Sequence, residues 1–230
     1  MEDSLKQLIQ SSLNQYSGTD SKNIYGVAAT SVRRRSTVGR VLEAARDIIA
    51  EDGMGALTFR KLSSRCGMAV SNLQYYFPSS EDLFRALMRF IITECLDRLL
   101  NISFLEISDP EQRLRTFLEV QVEDVQRKQT NAIFIALWDL AQRDAFVSKW
   151  LGEIYSVERS LLSSMLAEIH PLESQRDILD RSAAIASLIE GMMPLFGPAA
   201  APAGDLDDVH CAAIRYACLI AGIPYQPQSV

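Results

Sequence analysis

An all-α chain is the fold class this sequence predicts, and three observations predict it. Apolar residues recur at i, i+3, i+4 and i+7 in one segment after another, as in helices with a single buried stripe. No window alternates apolar and polar residues between turn signals, as a half-buried strand does, and no repeat period is visible. Composition is that of a globular protein, with 48% apolar and 23% charged residues among 230, enough for one large domain or two small ones. Its 11 glycines and 8 prolines are too few for a fibrous or low-complexity chain. The longest apolar run, Ala132 to Trp138, falls far short of the ~18 residues of a membrane helix. The acidic start, Met1-Glu2-Asp3-Ser4, lacks the apolar core of a secretory signal. A soluble, cytoplasmic protein with no membrane partner is the expectation.

Residues 1–32 read as an N-terminal extension, expected to be partly disordered. Leu5, Leu8, Ile9 and Leu13 have helical spacing there, whereas Ser17 to Asn23 reads as loop. Arg33, Arg34 and Arg35 then stand together just before a strong helix, whose stripe is Val38, Val41, Leu42, Ala45, Ile48 and Ile49. That helix stops at Gly53 and Gly55. Thr58 is the N-cap of a second helix, Phe59 to Cys66, with Leu62 facing inward and Gly67 at the turn that ends it. A third, from about Val70 to Phe77, is anchored by Leu73 and Phe77 and broken by Pro78. Residues 33–79 are thus one compact three-helix domain.

Residues 80–230 form the second domain, and 80–101 is the helix that connects the two. Ser79 caps this helix, and Asp82 completes a capping box. Its stripe of Leu83, Phe84, Leu87, Phe90, Ile91, Cys95 and Leu99 carries it to about Asn101. Further helices are expected near 110–128, 132–143, 146–169, 174–196 and 205–221. Their breaks fall at Asn131, Asp144, His170-Pro171 and the stretch from Gly197 to Gly204.

Net charge is −6, but it is unevenly spread. Residues 33–89 hold ten Lys and Arg against six Asp and Glu, whereas residues 90–230 hold eleven against twenty. A basic segment joined to an acidic one points to a polyanionic partner for the first part only. The four cysteines, Cys66, Cys95, Cys211 and Cys218, have no metal-ligand spacing, and there are only two histidines. No metal and no cofactor is therefore expected, and the thiols read as reduced, small, buried side chains. His170, next to Pro171, reads as an exposed helix end.

Helix, glycine turn and short helix over residues 58–77 form the helix-turn-helix arrangement, whose second helix enters the major groove of DNA. With Leu73 and Phe77 turned inward, the outer face carries Ser71, Asn72, Gln74, Tyr75 and Tyr76. These are hydrogen-bonding and planar side chains suited to phosphate oxygens and base edges. A merely solvated face more often carries Lys and Glu.

The stretch from Arg40 to Leu87, with AARDIIAEDG, LTFRKLSSRCGMAVSNLQYYF and PSSEDLF, resembles the TetR family of transcriptional regulators. The resemblance covers about fifty residues closely, and the rest agrees in being helical and of similar length. It implies double-stranded DNA as a partner, with Thr58 on phosphate, Val70, Ser71 and Asn72 at base edges, and Tyr75 and Tyr76 on phosphates or bases. Two positions depart from the family pattern. Gln74 stands where a Tyr is common, and Ser80 where a Lys grips the backbone. Loss of that Lys is expected to make the salt dependence shallower by about one unit. Arg33 to Arg35 compensate by reaching phosphates or the minor groove, or else form a solvated basic linker.

The second domain is large enough to hold a small-molecule effector and a dimer face. Its last two helices suit homodimerisation, with Ala183, Ala184, Ala186, Leu188, Ile189, Met192 and Met193 on one and Ala212, Ala213, Ala217, Leu219, Ile220 and Ala221 on the other. Candidate effector-lining residues are Phe117, Phe134, Trp138, Tyr155, Met165 and Met192, most of which also read as plain core. One of Glu123, Asp124 and Asp139 facing Trp138 favours a cationic ligand. The segment FIALWDLAQRDAFVSKWLGEIY is similar to the corresponding part of many TetR-type regulators, the choline-sensing branch among them. The resemblance implies a ligand-responsive homodimeric repressor on a palindromic operator, with 80–101 as the lever. The alternatives are an activator or corepressor-dependent member, or a helical adaptor that has lost strong DNA binding. No motif of an enzyme is present: GxSxG, GxGxxG, P-loop and HExxH are all missing.

Overall fold

The structure, a computed structural model, describes residues 2–101, 103–198 and 208–225. Within them the chain runs α1 (Glu2–Tyr16), β1 (Asn23–Ile24), β2 (Val27–Ala28), α2 (Val32–Asp52), α3 (Phe59–Cys66), α4 (Val70–Tyr76), α5 (Ser80–Asn101), α6 (Pro110–Gln126), α7 (Lys128–Ala141), α8 (Ala145–Ile169), α9 (Gln175–Phe196) and α10 (Val209–Ala221). Two compact units result. One is residues 6–102, and the other joins residues 1–5 to residues 103–230. The expected break from Gly197 to Gly204 lies mostly outside the described residues.

In the first unit α2 supplies the central stripe. Val38, Val41, Leu42, Ala45, Ile48 and Ile49 are all buried, as their spacing requires. Leu62 of α3 and Leu73 of α4 are buried, together with Phe77 just after α4. Thr58 caps α3 by accepting from the Lys61 amide at 3.2 Å. The Ser79 hydroxyl accepts from the Asp82 amide at 3.1 Å, while the Asp82 carboxylate accepts from the Ser79 amide at 3.1 Å. Between α2 and α5, Arg46 grips the Glu94 carboxylate at 2.7 and 2.8 Å and lies over the Phe90 ring.

The extension differs from its expectation. Residues 23–28 form a two-stranded antiparallel hairpin, pairing Asn23 with Ala28 and Ile24 with Val27. Its tip is Tyr25-Gly26, both at positive φ, as a two-residue turn matched to strand twist needs. Pairs of two residues are too short to alternate visibly, so a search for strand alternation misses them. Arg33, Arg34 and Arg35 lie inside the first turn of α2 rather than before it, because Ser31 provides the cap, accepting from the Arg34 amide at 3.3 Å.

The second unit is a bundle in which α6 packs on α7, α8, α9 and α10. Its buried stripe includes Leu114, Phe117, Leu118, Val122, Leu161, Leu162, Met165, Ile185 and Ile189. Arg113 is buried and donates to Glu168 at 2.6 Å and to the Ile107 carbonyl at 2.8 Å. Asn131 donates to the Met193 carbonyl at 2.9 Å, and Gly197 lies so close that an added Cβ would sit 2.1 Å from the Asn131 amide nitrogen. Two sequence readings are corrected here. His170 does cap the end of α8, its amide donating to the Leu166 carbonyl, but it is half-buried rather than exposed, with its Nε2 2.7 Å from the Ala221 carbonyl at the end of α10. The cysteines are free thiols, but only Cys218 is buried and Cys211 is exposed in the first turn of α10.

A candidate DNA interface and a candidate effector site

α4 is seven residues long and held by one buried leucine, so most of its surface is free. Val70, Ser71, Asn72, Gln74 and Tyr75 are exposed and Tyr76 is half-buried. The Tyr75 and Tyr76 rings meet edge to face at 5.2 Å. Beside them opens a basin of about 500 Å³, lined by Ser31, Arg33, Arg34, Thr37, Arg40, Met68, Asn72, Tyr75 and Tyr76. The Arg34 guanidinium stands 5.5 Å from the Tyr75 ring centre. Thr58 and Ser80 are exposed at the starts of their helices, Thr58 with its hydroxyl engaged in the cap.

Two sets of basic residues in this unit contrast. Arg46, Lys61, Arg65 and Arg85 are each paired with an acid. Arg33, Arg34 and Arg40 have no acidic partner among the described residues, and all three line the basin. Charge left unbalanced on one concave face is suited to a polyanion.

The second unit brings together a different chemistry. Trp138 of α7 donates its indole N–H to the Tyr155 hydroxyl of α8. Tyr155 in turn bonds Glu190 of α9. Glu158, one turn on from Tyr155, is buried and bonds Gln121 of α6. Burial raises its carboxyl to about 7, against an opposing pull from Gln121 and Arg159. Burial likewise raises Glu190 to about 8, reinforced by the nearby charges of Glu158 and Asp124 and opposed by the Tyr155 hydrogen bond. Burial and Glu190 also push the Tyr155 phenol upward. Glu158 Oε1 and Glu190 Oε2 are buried and have no hydrogen-bond partner among the described residues. A buried carboxylate oxygen left this way costs stability unless protonated or matched by a cation.

Of the acids singled out from sequence, Asp124 turns partly inward, whereas Glu123 and Asp139 are exposed and pair with Arg127 and Arg143. Of the aromatic and Met candidates, Trp138 and Tyr155 flank the carboxylates. Phe117, Phe134, Met165 and Met192 are buried, Phe117 and Met165 almost wholly. Sequence reasoning missed Glu158 and Glu190. The available signal was their place on apolar stripes, Glu158 with Leu161 and Leu162, Glu190 with Ala186 and Met193.

On α9 and α10 the outward apolar residues are Leu179, Leu195, Tyr216 and Leu219, Leu219 being 71% exposed, along with Ala183 and Ala184. Ala186, Ile189, Met192, Met193, Ala213, Ala217 and Ala221 belong to the core of the protomer itself. Among the described residues no group of His, Cys, Asp and Glu is arranged to hold a metal ion, and no helix is long and apolar enough to cross a membrane.

A helical unit with an open helix-turn-helix, followed in the chain by a separate helical unit, is the arrangement of a DNA-binding transcriptional regulator. Residues 41–87 match the family described as bacterial regulatory proteins, tetR family, and residues 110–214 match the BetI-type transcriptional repressor C-terminal family. The chain belongs to the TetR family. Over 168 residues it is 29% identical to the HTH-type transcriptional regulator BetI of Escherichia coli strain SMS-3-5, covering 70% of this chain and 80% of that regulator. A TetR transcription regulator from Haloarcula marismortui shares the fold at a TM-score of 0.66 and 18% identity, over 81% of this chain and 97% of that one. A regulator from Saccharomonospora viridis, solved in complex with choline, shares it at 0.61 and 18% identity, over 69% of this chain and 83% of that one.

Proposed function

We propose that the protein is a homodimeric repressor that reads a palindromic operator with α4 and is released from it by an organic cation. The observation that carries the effector class is the pair of buried carboxylates, Glu158 and Glu190, set beside Trp138 and Tyr155 with unpartnered oxygens. A quaternary ammonium ligand satisfies such a place twice over, by charge and by cation–π attraction to the rings. The choline bound by the Saccharomonospora viridis relative supports the same class.

On DNA, Val70, Ser71, Asn72 and Gln74 face base edges, while Thr58, Tyr75, Tyr76, Ser80, Arg33 and Arg34 supply backbone contacts, Arg35 being engaged with the Asp20 carbonyl instead. The outward leucines of α9 and α10, with Tyr216, are the dimer face, since apolar groups this exposed on adjoining helices call for cover. Two-fold symmetry of the dimer then sets the palindrome. A cation that prefers one arrangement of the dimer shifts it by its differential affinity alone.

The test is selection from a pool of random duplexes at two salt concentrations, followed by choline added to the retained complex. Enrichment of a palindrome, its loss in Tyr75→Ala and release by choline are expected. A flat, salt-independent profile sinks the DNA reading. Binding that no quaternary ammonium relieves sinks the effector class.

A further inference from the structure

We propose that residues 18–31 are a positioning strap, holding Arg33 and Arg34 beside α4 so that they grip backbone phosphates flanking the bases this helix reads. The idea rests on α4 reading DNA, and it extends the interface to a segment that lies before the matched family region at 41–87.

The strap is built as one piece. Asp20 accepts from the Asn23 side-chain amide and from the backbone amides of Lys22 and Asn23 at 2.7 and 2.8 Å, and these bonds, the side-chain one foremost, hold its carboxyl below the usual range. The Gly26 amide donates to the Gly18 carbonyl at 2.8 Å, and the Ala29 amide to the Lys22 carbonyl at 2.8 Å. Val27 and Ala29 are buried. The hairpin tip is fixed to α5: the Tyr25 ring meets Phe90 edge to face at 5.2 Å, and the Arg89 side chain passes along Gly18 and Gly26. An added Cβ at Gly26, whose φ is +78°, would lie 1.7 Å from the Arg89 guanidinium. Phe90 in turn carries Arg46 of α2 over its face.

The other end of the strap meets the arginines directly. Arg35 donates to the Asp20 carbonyl and is half-buried, so it serves as a tie to the strap. Arg33 and Arg34 remain exposed. Arg33, Thr37 and Arg40 are one and two turns apart on a single face of α2, and the Thr37 hydroxyl donates to the Arg33 carbonyl at 2.9 Å. Three adjacent arginines therefore have divided roles: one is a positioning residue and two point into the basin. A guanidinium fork placed this way suits the oxygens of a phosphodiester.

The experiment uses the full chain and its selected operator, with affinity followed against salt. Each phosphate contact contributes about 0.9 to the log–log slope. Two contacts are lost at each half-site of the proposed dimer, so Arg33→Ala/Arg34→Ala is expected to reduce the slope by about four. Gly26→Val and Tyr25→Ala, which touch no DNA-facing residue, are expected to reduce it by about two to four on the same scale. Tyr25→Phe keeps the ring contact and the wild-type slope. Added to Arg33→Ala/Arg34→Ala, neither strap variant causes a further loss, because the contacts it positions are already gone. Trimming the duplex to the bases under α4 brings the wild type to the slope of the arginine double variant. A wild-type slope in both strap variants, or a full additional loss in the combined variants, overturns the strap alone. Absence of any specific operator binding by the wild type overturns both the strap and the regulator reading.

Discussion

Replacing Glu158 by Gln gives a direct reading of the buried acids. Gln keeps the shape and hydrogen-bonding capacity but cannot ionise. In the folded protein burial holds the Glu158 carboxyl near 7, against an ordinary 4.5 in the unfolded chain. The folded state thus binds the proton more tightly, so stability is full below about pH 4.5 and falls as pH rises through the interval up to about 7. Each pH unit of that gap is worth about 1.4 kcal/mol, a ceiling of about 3 kcal/mol for this residue. For a chain of this size, that is about 6–12 °C of melting temperature. Thermal melts at pH 5 and pH 8.5 are the assay. Wild type and Glu158→Gln should melt together at pH 5, with the variant well above at pH 8.5. Equal melting at pH 8.5, or a gap of the same size at both values, refutes the reasoning. The same protonation opposes a cationic ligand. Choline binding is expected to strengthen as pH rises toward 8 and to release protons, measurable by calorimetry in buffers of different ionisation enthalpy. It should weaken in Glu158→Gln.

Three other outcomes follow from the packing. Gly197→Ala drives a methyl into the Asn131 amide and the Met193 carbonyl, and a cost of about 1–3 kcal/mol is expected in denaturant unfolding. Glu168→Gln leaves the buried Arg113 guanidinium without its counter-charge and should lower stability by about 3–5 kcal/mol, seen as a reduced denaturation midpoint. Leu219→Glu puts a charge on the outward face of α10, the proposed dimer face, so sedimentation is expected to give a dimer for the wild type and a monomer for the variant, with the helical circular dichroism unchanged.

The helix-turn-helix was legible because its determinants are local. Thr58, Gly67, Ser79 and Asp82 act on backbone groups a few residues away, and single-stripe periodicity leaves little doubt about which face turns inward. The buried acids were not legible in this way. Glu123, Asp124, Asp139, Glu158 and Glu190 all sit on amphipathic helices, and only the packing of α6, α8 and α9 decides which of them lose water. For the same reason the apolar residues of α9 and α10 could not be divided from sequence into core and outer face. Ala186 and Ile189 turn in, whereas Leu179, Leu195 and Leu219 turn out. The hairpin escaped because its tip is Tyr-Gly rather than the commoner Asn-Gly or Asp-Gly, and its strands have two residues each.

The pairing of Trp138 with Tyr155 also equips the molecule with an internal optical reporter. The chain has two tryptophans, and Trp150 is buried, 6% exposed. Trp138 is joined to the carboxylates through Tyr155, with its indole N–H committed to a phenol whose own partner is Glu190. Any event that ionises Glu190 or seats a positive charge against the ring changes the field along the indole. Emission intensity and colour then follow occupancy without a label. With Trp150→Phe as background, effector binding and carboxyl titration can be read from one fluorophore in the same sample.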